Sequence, residues 1–219
     1  MSDAQDPSTN QQASDDATSE GVVDLTKRQR MKPGERRTQI LQTLAQMLEQ
    51  PGAERVTTAL LASKLGVSEA ALYRHFASKA QMFEGLISFI EQSLFGLINK
   101  ITTEETDGMT QVRRIVTIML LFAEKNPGMT RVLTGDALVN EDNRLQLRIN
   151  QMFDRLESTI KQSFRIAQTQ SDRTMDPESQ ANLMLCFVIG RWHQFAKSGY
   201  KRKPMEFVQQ QLNYLNGVE

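Results

Sequence analysis

The chain has 219 residues, of which 39% are hydrophobic and 24% charged, the make-up of one long globular domain or two small ones. A lone Cys186 excludes an intramolecular disulfide framework. With no basic-then-apolar leader and no run of about 18 apolar residues, the chain reads as cytoplasmic, with no membrane contact.

Lys plus Arg equals Asp plus Glu, 26 of each, a balance that speaks against nucleic acid until its distribution is followed. Residues 1–26 hold Asp3, Asp6, Asp15, Asp16, Glu20 and Asp24 and no Lys or Arg. Large apolar side chains are almost missing before Val22, which predicts a disordered acidic tail over residues 1–30. Residues 27–82 reverse the sign, with ten Lys or Arg against four Glu, and residues 83–219 cancel at 16 of each. The neutral total therefore hides a basic segment the size of a small DNA-binding module. It starts at a junction of Lys27, Arg28, Arg30, Lys32, Arg36 and Arg37 around Pro33-Gly34.

The rest reads as helix. Ile40, Leu41, Leu44, Met47 and Leu48 recur at spacings of three and four, and Pro51-Gly52 stops that helix. Short helices follow over 58–65 and 68–76, with a turn at Gly66 between them. Ser78 caps a long helix from Lys79, whose stripe runs Phe83, Leu86, Ile87, Ile90, Leu94, Leu97, Ile98 and Ile101. Residues 112–122 are apolar nearly all round, as in a central buried helix, and Asn126-Pro127-Gly128 breaks it and opens a short one. A long stripe covers 141–168, Asp176-Pro177-Glu178 starts a helix apolar on more than one face, and a last helix covers 204–215. Strand alternation is not seen, so the class is all-α.

Residues 56–79, VTTALLASKLGVSEAALYRHFASK, carry the function. Leu61, Leu65, Val67, Leu72 and Phe76 converge into a small core, and Gly66 permits the turn between two helices. The second helix suits the major groove, with its N-terminal N–H groups facing phosphates or base edges. Candidate DNA contacts are Thr57, Thr58, Ser68, Glu69, Ala70, Tyr73, Arg74, His75 and Lys79. Two readings stay open for His75, a phosphate contact or a partly buried structural residue, and the Tyr73 ring can pack while its hydroxyl reaches a phosphate.

No Gly-rich phosphate loop, Cys/His metal spacing or nucleophile–base pairing is present, so neither enzyme activity, cofactor nor metal is expected. His193, beside Trp192, has no second ligand and reads as structural or interfacial. Cys186 reads as a core or dimer-interface residue.

The pattern T-T-x-x-L-A-x-x-L-G-V-S-x-x-x-L-Y-R-H-F-x-S-K over residues 57–79 resembles the TetR-type helix-turn-helix. That resemblance implies a three-helix DNA-binding domain (31–82), a larger helical C-terminal domain (83–217) and a homodimer built from the last helices. The helices over 177–198 and 204–215 hold more apolar surface than one subunit covers, which places Val188, Trp192 and Leu212 in that interface. A dimer would read pseudo-palindromic double-stranded DNA.

VSEAALYRHFASK (67–79), NPGMTRVLTGDAL (126–138) and RLQLRINQMFDRLE (144–157) further resemble the nucleoid-occlusion branch of that family. This branch implies a nucleoid-associated protein that, bound to chromosomal sites, antagonises FtsZ polymers. The implied partner groove holds Phe89, Ile118, Phe122, Lys125 and Asn126, with Lys125 where Arg is expected and Leu121 where Gly is usual. Phe89 falls off its helix's main stripe, so it is either buried on a second side or an exposed aromatic in that groove. The alternative function is a ligand-responsive transcriptional repressor with a small-molecule cavity in its C-terminal domain.

Overall fold

The computed structural model describes residues 34–50, 56–171 and 176–215. Among them every regular element is helical: α1 (Glu35–Leu48), α2 (Thr58–Leu65), α3 (Glu69–Tyr73), α4 (Lys79–Glu104), α5 (Gly108–Lys125), α6 (Pro127–Leu133), a 3-10 turn (Asp136–Leu138), α7 (Asn143–Gln170), α8 (Pro177–Lys197) and α9 (Val208–Leu215). The all-α class holds. The tail over 1–30, the junction up to Pro33 and the Pro51-Gly52 stop lie outside the described residues.

Helix boundaries follow local chemistry. Six helices start on a residue whose side chain takes a first-turn N–H: Thr57, Ser68, Ser78, Asp107, Asp142 and Asp176. Pro127 and Pro177 occupy first positions, where their missing N–H costs nothing. Gly66 ends α2 at φ 63, a left-handed geometry that a side chain resists. Two expected spans come out shorter. Arg74 and His75 form a turn that closes the helix, so α3 has five residues. The last helix starts at Val208 and not at 204, because Phe207 sits at φ 59 and interrupts the run.

α5 lies among α4, α7 and α8, and packs on all three. Val112, Ile115, Val116, Met119 and Leu120 have no exposed surface, nor do Ile149, Met152, Leu156, Met184, Val188 and Trp192 on α7 and α8. Each such side chain contributes about 1.5–3 kcal/mol by leaving water. The Trp192 indole N–H donates to the Met119 carbonyl at 3.1 Å, so its burial strands no donor. The expectation that α5 is buried all round is corrected: Arg114 and Leu121 are exposed, because only one broad face meets other helices.

The hydrophobic core runs without a break from Ile40 to Leu212. α4 crosses the proposed 82/83 boundary, so the two parts share one helix. Two features tie α1 to the C-terminal helices. Gly128 of α6 lies so close to α1 that a Cβ there would sit 2.0 Å from the Ala45 carbonyl oxygen. The Leu48 carbonyl at the end of α1 accepts from Arg131 Nη1 at 3.1 Å and from the Tyr200 hydroxyl at 3.4 Å. Burial holds the Tyr200 hydroxyl above its usual pKa, so it stays a donor. Further along, Glu91 of α4 binds Arg148 at 2.8 Å and Arg155 at 3.5 Å, fastening α4 to α7.

Candidate nucleic-acid interface and partner groove

Leu61, Ala62, Leu72 and Phe76 are buried together with Ile40 and Leu44, while Leu65 and Val67 pack partly buried at the edge. This small core leaves one side of α2 and α3 free. Thr57, Ser68, Glu69, Ala70, Tyr73 and Arg74 are exposed, and Thr58 and His75 are half-buried. Thr57 Oγ1 accepts from the Leu60 N–H at 3.2 Å and Ser68 Oγ from the Ala71 N–H at 3.3 Å. Both hydroxyls therefore serve as helix caps in the free protein.

Side chains also join the two helices. Thr58 Oγ1 donates to Glu69 Oε2 at 2.6 Å, and the Tyr73 hydroxyl reaches Thr58 Oγ1 at 3.5 Å. Arg37 stacks on the Phe76 ring at 4.1 Å and donates to the His75 carbonyl, holding the turn after α3 against α1. Charge at this surface is mixed. Arg74 and Lys64 are exposed cations, but Glu69 puts a carboxylate on the first turn of α3. The expectation that the start of this helix attracts anions is corrected: the helix is one turn long, already capped, and opens with a negative side chain.

Lys79 departs from its expected place as a free cation. Its ammonium pairs with Glu141, and the two side chains are 21% and 9% exposed. A phosphate would have to compete with that carboxylate.

On the C-terminal part, α4 and α5 pack side by side, and each keeps an apolar strip outside the core. Phe89 is 40% exposed, which selects the exposed reading for it, and Leu97 two turns on is 46% exposed. On α5, Ile118 and Phe122 are half-buried, and Leu121 and Lys125 are exposed. Asn126 caps the end of α5, its Nδ2 donating to the Phe122 carbonyl at 2.7 Å. Leu121, noted beside the groove as standing where Gly is usual, adds exposed apolar surface there, and Leu97 departs from the core stripe expected for it. Leu97 stands seven residues from the buried Ile90 and so belongs to that stripe by periodicity, yet it is left exposed.

The proposed dimer residues need correction. Val188 and Trp192 have no exposed surface and Leu212 has 1%, so all three face the interior of their own subunit. The reason is register: α8 turns Ala181, Met184, Leu185, Val188 and Trp192 inward, toward α5 and α7. Its outer side carries Leu183, Cys186 and Gly190, all exposed, with Phe187, Ile189 and His193 half-buried. Cys186 is thus not a core residue. Beyond α8, Phe207 is 62% and Tyr214 84% exposed.

No helix among the described residues is long and apolar enough to cross a membrane.

Comparison with known proteins agrees with this layout. Residues 40–86 match the family model for bacterial regulatory proteins of the tetR family, and residues 106–218 match the SlmA-like, tetracyclin repressor-like C-terminal domain. The nucleoid occlusion factor SlmA of Alteromonas mediterranea is 53% identical over 178 residues, covering 80% of this chain and 91% of that protein. The protein of the same name from a Marinomonas species is 50% identical over 186 residues, covering 84% and 94%. Among solved structures, the fatty acid degradation regulator FadR of Bacillus halodurans superposes with a TM-score of 0.70 at 17% identity, covering 85% of this chain and 97% of that one. The TetR-family regulator PfmR of Thermus thermophilus gives 0.68 at 23% identity, with 82% and 98% covered. These structural likenesses establish the fold, and the sequence matches establish the branch. The chain belongs to the TetR family of bacterial regulatory proteins, within its SlmA nucleoid occlusion factors.

Proposed function

We propose that this protein binds pseudo-palindromic double-stranded DNA as a homodimer and, bound at chromosomal sites, antagonises FtsZ polymer assembly. It acts as a DNA-binding regulator and not as an enzyme. DNA contact falls to the exposed side of α2 and α3, where Thr57, Thr58, Ser68, Ala70, Tyr73, Arg74 and His75 offer hydroxyls, small surfaces and a cation to a major groove and its phosphates. Dimerisation falls to the outer side of α8 around Leu183 and Phe187, extended by α9.

The observation that carries the partner role is the apolar strip on α4 and α5. Phe89, Leu97 and Leu121 are each at least 39% exposed, and Lys125 adds a positive charge at the end of α5. Aromatic and aliphatic anchors beside a cation fit a short apolar and acidic segment of a partner. A ligand-responsive repressor has less support, since Val112, Met119, Met184 and Trp192 fill the centre of the C-terminal helices.

The deciding experiment is sedimentation of FtsZ polymers with the purified protein and its selected DNA present. Loss of polymer from the pellet is the expected result. Unchanged polymer at saturating DNA would remove the division role and leave the DNA-binding one.

A further inference from the structure

We propose that Glu69 is a specificity-determining residue, whose carboxylate accepts a hydrogen bond from the exocyclic amine of a cytosine in the major groove. The inference rests on the DNA-binding reading above and adds the chemistry of one base position to it.

Glu69 is the first residue of α3 and is exposed on the side that carries Ala70 and Tyr73. Its Oε2 is held by the Thr58 hydroxyl at 2.6 Å, and Thr58 Oγ1 in turn receives the Tyr73 hydroxyl at 3.5 Å. The carboxylate is thereby tied between the start of α2 and the face of α3. Holding it in place before binding lowers the rotamer entropy lost on contact. Thr58 is its one hydrogen-bond partner among the described residues, and a carboxylate has about four acceptor directions.

Against DNA a carboxylate has few favourable neighbours. Phosphates repel it, and it has no proton to give to the acceptors of guanine or thymine. Only the amines of cytosine and adenine donate in the major groove. Adenine sets its N7 acceptor beside that amine, which suits an amide and places two acceptors together for a carboxylate. Cytosine presents the amine alone. A sequence with no donor at this position would leave a desolvated negative charge unpaired, so Glu69 would select chiefly by penalising wrong sites.

The other account of Glu69 is that it only steadies the start of α3 through the Thr58 bond. That account predicts no dependence on any base. The test uses the full-length protein and duplexes selected from a randomised pool, with Glu69→Gln compared to the parent. The parent is expected to enrich cytosine at one position in each half-site. Glu69→Gln should lose that preference and gain adenine, which a Gln amide matches through N6 and N7. Replacing the enriched cytosine by 2-pyrimidinone, which lacks the amine, should weaken parent binding about tenfold and leave Glu69→Gln unaffected. Glu69 is exposed and the change is isosteric, so folding is not at issue. Equal binding of the parent to both duplexes, or an unchanged profile for Glu69→Gln, would overturn the proposal while leaving DNA binding intact. If the parent enriches no sequence at all, the DNA-binding reading falls with it.

Discussion

The Lys79 ammonium rests on the Glu141 carboxylate, joining the first residue of α4 to the segment that leads into α7. Glu141 is the more enclosed partner, and a phosphate must displace it before Lys79 can serve DNA. Lys79→Ala is therefore expected to weaken DNA binding by less than about threefold, with a loss of stability of roughly 1–3 kcal/mol from the stranded carboxylate. Glu141→Gln should free the cation and tighten binding at low salt, a gain that fades as salt rises. Anisotropy titrations at several salt concentrations check both. A large affinity loss in Lys79→Ala with unchanged Tm would make Lys79 a direct phosphate ligand.

The proposed partner strip should give a separable phenotype. Phe89→Ala combined with Lys125→Glu removes exposed aromatic area and reverses the local charge, without touching α2 or α3. The double variant should lose about tenfold or more in FtsZ antagonism. Its DNA affinity should stay within about twofold, because neither residue lies on α2 or α3. Polymer sedimentation and operator anisotropy on one preparation read both quantities, and a parallel fall in the two would show a folding defect instead.

Two substitutions on α8 should behave in opposite ways. Leu183→Glu places a charge on the outer side and should give a folded monomer. Val188→Asp places one among fully buried side chains and should unfold the protein, at a cost of several kcal/mol. Sedimentation velocity together with circular dichroism distinguishes these outcomes. A Leu183→Glu protein that stays dimeric at low micromolar concentration would move the interface elsewhere.

Asp107 caps α5, accepting from the Thr110 N–H at 2.7 Å. The Thr110 hydroxyl first, and then its N–H, hold the Asp107 carboxyl below the usual aspartate range. A carboxyl depressed in the folded state stabilises it above the unfolded pKa, near 4, and that contribution is lost as pH falls through the folded value. Asp107→Ala should cost about 1 kcal/mol at pH 7 and progressively less below about pH 4. Urea unfolding at pH 7 and pH 3 measures the difference, and equal costs at both would assign the effect to packing alone.

Much of this molecule was legible in advance where one local rule sufficed. The caps at Ser78 and Asp176, the left-handed Gly66 and the starts at Pro127 and Pro177 each depend on a few adjacent residues. Periodicity located the helices for the same reason. It failed where the outcome depends on which of two apolar faces wins. Residues 183–189 are apolar on both sides of α8, and only packing against α5 and α7 decides that Val188 points in and Leu183 out. The pairing of Lys79 was not legible because Glu141 lies 62 positions away, beyond the reach of any motif. Glu69 was noted in the motif, but its tie to Thr58 needs the turn at Gly66 to bring α2 and α3 together.

The near-contact of Gly128 with the Ala45 carbonyl, with Leu48 held by Arg131 and Tyr200, bears on how the protein tolerates imperfect sites. A joint made backbone to backbone has little swing, so in the proposed dimer each reading head would move with the body of its subunit. One extra base pair at the centre of a palindrome shifts the second half by about 3.4 Å and turns it by roughly a tenth of a revolution. A head on a loose tether would follow that shift. In the proposed homodimer it would have to be absorbed by bending the DNA or distorting the subunit interface. Spacing between half-sites should thus be policed more strictly than any single base.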